Sequence, residues 1–274
     1  VIGMDGWAPG PLETAERIDA APSAALAGLL GVEPPEKELP PLWHWLHFLD
    51  RPAQHELGPD GHPLAGHFLP PVPDRRRMFA GGRYLVREPL RVGDEVTRRS
   101  ELASTAVKTG RSGEMAFVTV RHTFLRDGAA IAVEEQDLVY RSGDPAARPE
   151  PPSFEPPRAD EPWTLPMTAD PVLLFRFSAL TYNAHRIHYD EAYATGVEGH
   201  PGLVVHGPLL ALLCLELPRR AGHAVTELAF RARRPVYAGQ PFAAVGSEDG
   251  ELAIRAPGGV TAMTATWTGP PATR

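Results

Sequence analysis

Apolar runs carrying β-branched and aromatic residues occupy 83–88, 95–107, 114–125 and 130–141, with similar runs along 228–237, 241–247, 251–255 and 260–268. Such residues suit a pleated, partly buried surface, so these runs predict strands. Turn signals at Gly93-Asp94, Gly110 and Asp127-Gly128 separate them, and short turns between consecutive strands imply antiparallel pairing. One segment breaks the pattern. Between Gly207-Pro208 and Pro218 the residues Leu209 to Leu215 are apolar on every face of a helix, and such a helix must be buried on every side. An antiparallel sheet curved around one buried helix satisfies both requirements. The apolar run 171-PVLLFRF-177 reads as a further buried strand.

Prolines crowd the chain from Pro145 to Pro171. Proline fixes φ and donates no amide hydrogen, so this stretch predicts a stiff, extended connection. It divides the chain into 1–144, a linker over 145–170, and 171–274. The two sides echo each other in order: 83-RYLVREPLRVGDEV-96 with 229-AFRARRPVYAGQPF-242, 113-GEMAFVTV-120 with 250-GELAIRAP-257, and 61-GHP-63 with 199-GHP-201. Repetition in one order points to a duplicated unit. The first copy has prolines in 66-GHFLPPVPDRRRMF-79, where a long helix would run, so its helix is expected to be eroded.

Composition narrows the partners. With 274 residues, 43% hydrophobic and 22% charged, the chain can bury a sizeable core. The net charge of −7 carries no basic stripe for a nucleic-acid backbone, and nucleic acid is excluded as a partner. A single cysteine, Cys214, allows no intrachain disulfide and no cysteine-rich zinc site, and in its apolar helix it reads as packing. The longest apolar run, 208-PLLALLCLELP-218, is about half a membrane span, and no secretory leader is read at the start. A cytoplasmic protein without a membrane partner is the expectation.

The chemistry concentrates in 178-SALTYNAHRIHYD-190, followed by 194-ATGVEGHPGLVVHG-207, which leads into the apolar helix. Histidine titrates near neutrality and suits proton transfer. A helix amino end offers unpaired N–H groups and partial positive charge, and Gly207 lets a ligand approach them closely. The segment therefore gathers Asn183, His185 and His188 near the helix start at Gly207, with Tyr182, Arg186 and His206 close by as candidates for binding a substrate. His185-x-x-His188 with Asp190 or His206 has metal-ligating types, but no HExxH or cysteine pattern accompanies it, and no metal is expected. Asp190 and Glu191 read as helix caps, and Trp43 and Trp45 as core or pocket wall.

These segments carry a resemblance. The motifs 177-FSALTYNAHRIHYDEAYA-194 and 200-HPGLVVHGPL-209, supported by 41-PLWHWLHFL-49, 68-FLPPVPDRRRMFAGG-82 and 135-EQDLVYR-141, resemble the MaoC-type enoyl-CoA hydratases of double hotdog arrangement. More narrowly they are similar to the mesaconyl-C4-CoA (3-methylfumaryl-CoA) hydratase group, with its itaconyl-CoA hydratase and mitochondrial hydroxyacyl-thioester dehydratase relatives. The resemblance implies an α+β double hotdog and reversible syn addition of water to the α,β double bond of an acyl-CoA. No cofactor is implied. In the family's motif an aspartate, and a histidine five residues later, hold the water. Matching that histidine to His188 puts Asn183 at the aspartate position and His185 at the position of the intervening asparagine. Asn183 can orient water but cannot take its proton.

The expected activity is a hydro-lyase on a short branched or dicarboxylic enoyl-CoA, with a distal carboxylate met by Arg75, Arg76, Arg77 or Arg186. Three alternatives stand beside it: a 3-hydroxyacyl dehydratase on a carrier-protein thioester, an acyl-CoA thioesterase, and a non-catalytic acyl-CoA-binding subunit. A chain holding both halves is expected to act as monomer or homodimer.

Overall fold

A computed structural model describes residues 4, 6–110, 113–142 and 151–271. Ten strands form one antiparallel sheet: β1 (Leu12–Arg17), β2 (Arg76–Val86), β3 (Glu95–Gly110), β4 (Gly113–Arg126), β5 (Ala129–Arg141), β6 (Trp163–Thr168), β7 (Glu227–Ala232), β8 (Pro241–Gly246), β9 (Glu251–Ala256) and β10 (Val260–Thr268). Their order is β1-β3-β4-β5-β2-β7-β10-β9-β8-β6. Read inward from either edge the sequence of strands is the same, and the two halves meet where β2 pairs with β7, Gly82 opposite Phe230. The β4–β5 hairpin turns on Asp127 and Gly128, both at positive φ (51° and 78°), the conformation a two-residue hairpin favours.

Four α-helices accompany the sheet: α1 (Ala20–Leu30), α2 (Pro171–Leu180), α3 (Glu191–Gly196) and α4 (Gly207–Arg220). Helix α4 lies across β2, β6, β8, β9 and β10, and every residue from Leu209 to Pro218 is buried. Its expected all-round burial is met, although it continues two residues past Pro218. Among the described residues no long helix takes its place in the other half. There Phe68, Leu69 and Val72 of the proline-broken segment pack over Val118, Val120 and Tyr140 of β4 and β5, so an irregular stretch covers the sheet in place of a helix.

Two expectations are corrected. The run 171–177 is helix α2, not a strand: Asp170 accepts the Leu173 N–H at 2.7 Å and Pro171 occupies the first turn, the signature of a helix start. Only Leu174, Phe177 and Ser178 of α2 are buried, the spacing of one helical face. Second, the proline-rich 145–170 is not all linker. Strand β6 lies within it, and Pro166 is tolerated because β6 is an edge strand paired only with β8. Residues 145–150 of that stretch lie outside the described residues. The first half, whose long helix is eroded as expected, holds the shorter helix α1, which packs against α2, together with the edge strand β1. No helix among the described residues is long and apolar enough to cross a membrane.

Candidate active site

The polar stretch behind α2 is bent into place by its backbone. Tyr182 sits at φ 50°, and the Asn183 N–H returns to the Ser178 carbonyl at 2.9 Å. The chain then leaves the helix sharply. Asn183 Oδ1 accepts the His185 N–H at 3.0 Å, which fixes the orientation of the amide. A short 3-10 turn over 186–188 follows, and Asp190 caps α3 by accepting the Tyr193 N–H at 3.0 Å. The loop before α4 docks on this turn through Val204 N–H to Ile187 O, 2.9 Å.

His188 is thereby fixed. Its Nδ1 lies 2.7 Å from the Val204 carbonyl oxygen. A carbonyl only accepts, so Nδ1 carries the hydrogen and Nε2 keeps its lone pair. Burial lowers the His188 pKa to about 4, and the ring is a neutral base at physiological pH. Its face stacks on His206, centroids 3.6 Å apart. His206, 1% exposed, shares a hydrogen bond with Ser178 Oγ at 2.9 Å, and burial, with His188 adding to it, keeps its pKa well below the ordinary value. The next residue is Gly207, first of α4, whose N–H has no carbonyl one turn back in the helix. A Cβ there would lie 3.1 Å from Phe79 Cδ1, a tight contact that the ring would have to ease.

A cavity of about 1370 Å³ runs along this site between the two halves. Asn183, His188 and Gly207 of the second half line it together with Arg77, Phe79 and Trp45 of the first. Trp45 is anchored from behind. Its Nε1–H donates to Glu134 at 2.6 Å, and His44 Nε2 lies 2.8 Å from the other carboxylate oxygen. Burial opposes the charge on Glu134, but His44 outweighs it, aided by His122 and Gln136, and the pKa falls to about 2.

Of the residues expected around the substrate, Tyr182 is exposed at the cavity mouth and His185 is buried with its ring 5.5 Å from His188. Burial, then the neighbouring imidazoles of His62 and His188, keep His185 neutral. Arg186 is engaged elsewhere: it grips Asp190 at 2.7 and 3.0 Å, donates to the Pro59 carbonyl, and lies over the Tyr193 ring. Two residues were not anticipated. Asp60 and His62 come from the opposite half, and the His62 ring lies 4.1 Å from that of His185. The repeated 61-GHP-63 was the one trace of them in the sequence. Asp60, His62 and His185 also place ligand atoms within 4.8 Å of one another, a different set from the His185-x-x-His188 spacing set aside in the sequence.

The comparisons with known proteins follow the same lines. The model of a family described as hydroxyacyl-thioester dehydratase type 2 matches residues 42–238. The mesaconyl-C(4)-CoA hydratase of Chloroflexus aurantiacus is 44% identical over 259 residues, 90% of this chain and 92% of its own length. The mitochondrial hydroxyacyl-thioester dehydratase type 2 of Schizosaccharomyces pombe is 40% identical over 91 residues, covering 32% of this chain and 30% of that one. Among solved structures, HtdX of Mycobacterium tuberculosis superposes with a TM-score of 0.66 at 18% identity, covering 95% of this chain and 100% of its own. A second protein of that organism, described as having a double hotdog fold, gives 0.57 at 14% identity, with 96% of each chain covered. The α+β double hotdog architecture is thus established, and with a relative 44% identical along 90% of its length the chain belongs to the hydroxyacyl-thioester dehydratase type 2 family.

Proposed function

We propose that the protein is a hydro-lyase that adds water reversibly to the α,β double bond of a short branched or dicarboxylic enoyl-CoA, of the kind named for its Chloroflexus relative. One observation carries this reading: a buried, neutral imidazole whose Nδ1 is tied to Val204 presents an unprotonated Nε2 beside the start of α4. In the hydration direction His188 Nε2 takes a proton from water as its oxygen bonds to Cβ. The π pair moves onto the thioester oxygen, where the Gly207 N–H receives it, and His188 returns the proton to Cα on the same face. Positioned acid–base help of this kind contributes roughly 10²–10⁴-fold, and one oxyanion donor about 3–4 kcal/mol. The Asn183 amide NH2 holds the water oxygen. No electrons leave the substrate, so the chemistry calls for no redox cofactor.

The distal carboxylate falls to Arg77. Arg75 donates to the Pro63 and Leu64 carbonyls, Arg76 pairs with Glu198, and Arg186 pairs with Asp190. Arg77 has no carboxylate partner among the described residues and lines the cavity on the same strand as Phe79. The cavity exceeds the size usual for a small ligand, which suits an extended thioester. One chain supplies both walls, so a monomer or a homodimer is equally complete.

The test is loss of enoyl-thioester absorbance with mesaconyl-, itaconyl-, crotonyl- and longer enoyl-CoAs. His188→Ala should lower kcat/KM at least 100-fold on the best of them. Wild-type rates in that variant, or free thiol released from saturated acyl-CoA in place of hydration, would remove the proposal.

A further inference from the structure

The cavity continues past the reacting groups onto the face of the sheet that carries the exposed Arg83–Glu135–Asp137 network. At the start of β2, Arg76 lies directly opposite Arg141 of β5, and Arg141 opposite Met115 of β4. On the next rung of that face Met78, Val139 and Phe117 meet in the same way, and both rungs line the cavity. Arg77 falls on the other face, paired with the fully buried Tyr140, so its role toward the acyl group is separate. Strand β7 runs antiparallel to β2, Gly81 opposite Arg231. The chain beyond β7 therefore heads toward the start of β2, and Arg233 and Arg234 there line the cavity as well.

This gathering of cations is unfavourable by itself, since like charges directly opposite on paired strands repel. It also stands out in a chain of net charge −7. Glu198 meets Arg76. No carboxylate among the described residues pairs with Arg141, Arg233 or Arg234; Arg233 Nε donates to Thr264 Oγ1 at 3.4 Å. Between these cations lies an apolar floor, with Met78 42% exposed and the Lys108 ammonium 5.1 Å from the Phe117 ring centroid. His200 links the patch to the base. Burial lowers its pKa, Arg76 and Arg141 lower it further, and His200 in turn acts on His188 and His185.

We propose that this arginine-rimmed patch binds the 3′-phospho-ADP end of coenzyme A, with Arg141, Arg233 and Arg234 on the phosphates and Met78 and Phe117 beneath the adenine. The inference rests on the acyl-CoA substrate class proposed above, and adds where the nucleotide sits and which residues select it. A guanidinium fork matches phosphate oxygens in pairs, and a base gains from an apolar or aromatic surface under its flat face. An acidic carrier protein would meet the same positive charge, but it has no flat apolar group to lay on Met78 and Phe117. From the patch the pantetheine arm passes His200 to reach His188. The phosphates stay remote from the reacting carbons, so these contacts are equal in substrate and transition state and act on KM, not kcat.

The experiment presents the best enoyl group as its CoA, 3′-dephospho-CoA, pantetheine and carrier-protein thioesters to wild type, Arg141→Gln and the double variant Arg233→Gln/Arg234→Gln. Free CoA is titrated into the same proteins by calorimetry. In wild type, KM should rise roughly tenfold from CoA to dephospho-CoA and roughly 100-fold to pantetheine, at similar kcat. Each variant should raise KM for the CoA thioester roughly tenfold. The pantetheine thioester, which lacks the nucleotide, should not distinguish variant from wild type, whereas a folding defect would. Salt should raise KM for the CoA thioester in wild type and less so in the variants, because the patch faces solvent. Equal KM for CoA and pantetheine thioesters in wild type, unchanged KM in both variants, or equal losses on the pantetheine thioester would overturn the assignment. A carrier-protein thioester that alone depends on these arginines would overturn it too, and give the patch to an acidic protein. Calorimetry separates this inference from the hydratase reading. Free CoA bound roughly tenfold more weakly by the variants sustains the site even where no thioester is hydrated. Free CoA that binds wild type and variants alike overturns the site while hydration, if seen, keeps the hydratase reading.

Discussion

The imidazoles of His188 and His206 lie face to face, their centroids 3.6 Å apart and their planes 17° from parallel. Two charged rings would not tolerate that spacing, and burial keeps both neutral. His206 thus acts as a flat, buried shelf under the base. His206→Ala should let the His188 ring tilt and lower kcat about tenfold, with KM less affected, since an aromatic contact is worth about 0.5–1.5 kcal/mol. His206→Phe should restore most of the rate. Steady-state kinetics of the two variants, side by side, check the shelf role.

Buried histidines make the fold acid-sensitive. Burial lowers His122 and His188 to about 4 from an ordinary value of 6.5. Between those limits the unfolded chain binds more protons, so stability is highest above pH 6.5 and is lost as pH falls toward 4, by about 3 kcal/mol for each residue. Glu134 adds a lower window: with a folded value of about 2 against 4.5, its contribution is present above 4.5 and disappears as pH falls to 2. Urea midpoints at pH 7.5, 5.5 and 4.5 should fall steadily. His122→Gln, which keeps a partner for Ser100 Oγ, should flatten the upper part of that slope.

Activity should lack the usual imidazole limb. Protonation of His188 removes the base, and its value of about 4 places that loss well below neutrality. The pH profile of kcat/KM should therefore stay level through pH 6.5 on the acid side while the chain remains folded. A half-point near 6.5 would assign proton transfer to a different group.

Gly61 is a joint between the halves. Alanine there meets the Ala184 carbonyl at 1.8 Å and must hold φ 89°, and no flexible side chain can move aside. Gly61→Ala should destabilise the chain by about 1–3 kcal/mol, the range for overpacking, and lower kcat more than tenfold at temperatures where it stays folded. Thermal melts paired with kinetics separate the two effects.

Arg77→Gln tests substrate choice. For an enoyl-CoA with a free carboxylate, kcat/KM should fall roughly 100-fold, the equivalent of about 3 kcal/mol for a desolvated charge pair. For crotonyl-CoA the loss should be at most a few-fold. Equal losses on both would place Arg77 elsewhere than at the carboxylate.

Strand β4 was legible because alternation survives where one face is buried, with Ala116, Val118, Val120 and Phe124 pointing inward, while β8 and β9, buried at nearly every position, were legible as short apolar runs bounded by turns. Helix α4 was legible for the opposite reason, having no polar face at all. Helix α2 was misread because its apolar run is short, and Val172 and Phe175 stay exposed (64% and 61%), hiding the helical period. His188, Asn183 and Gly207 sit within one local stretch, and their proximity could be read directly. Asp60 and His62 could not, because what brings them to His185 is the approach of two turns across the halves, set by Gly61 against the Ala184 backbone. The ranking of Arg77 above its neighbours depended likewise on which carbonyls and carboxylates the others met.

The hydrogen-bonded seam between β2 and β7 joins strands of a single polypeptide. Two identical subunits across such a seam would install every substitution twice and present two matching clefts. A continuous chain escapes that constraint. The side bearing Trp45 and Phe79 can trade its long helix for space, the side bearing His188 keeps its own, and dilution cannot separate them.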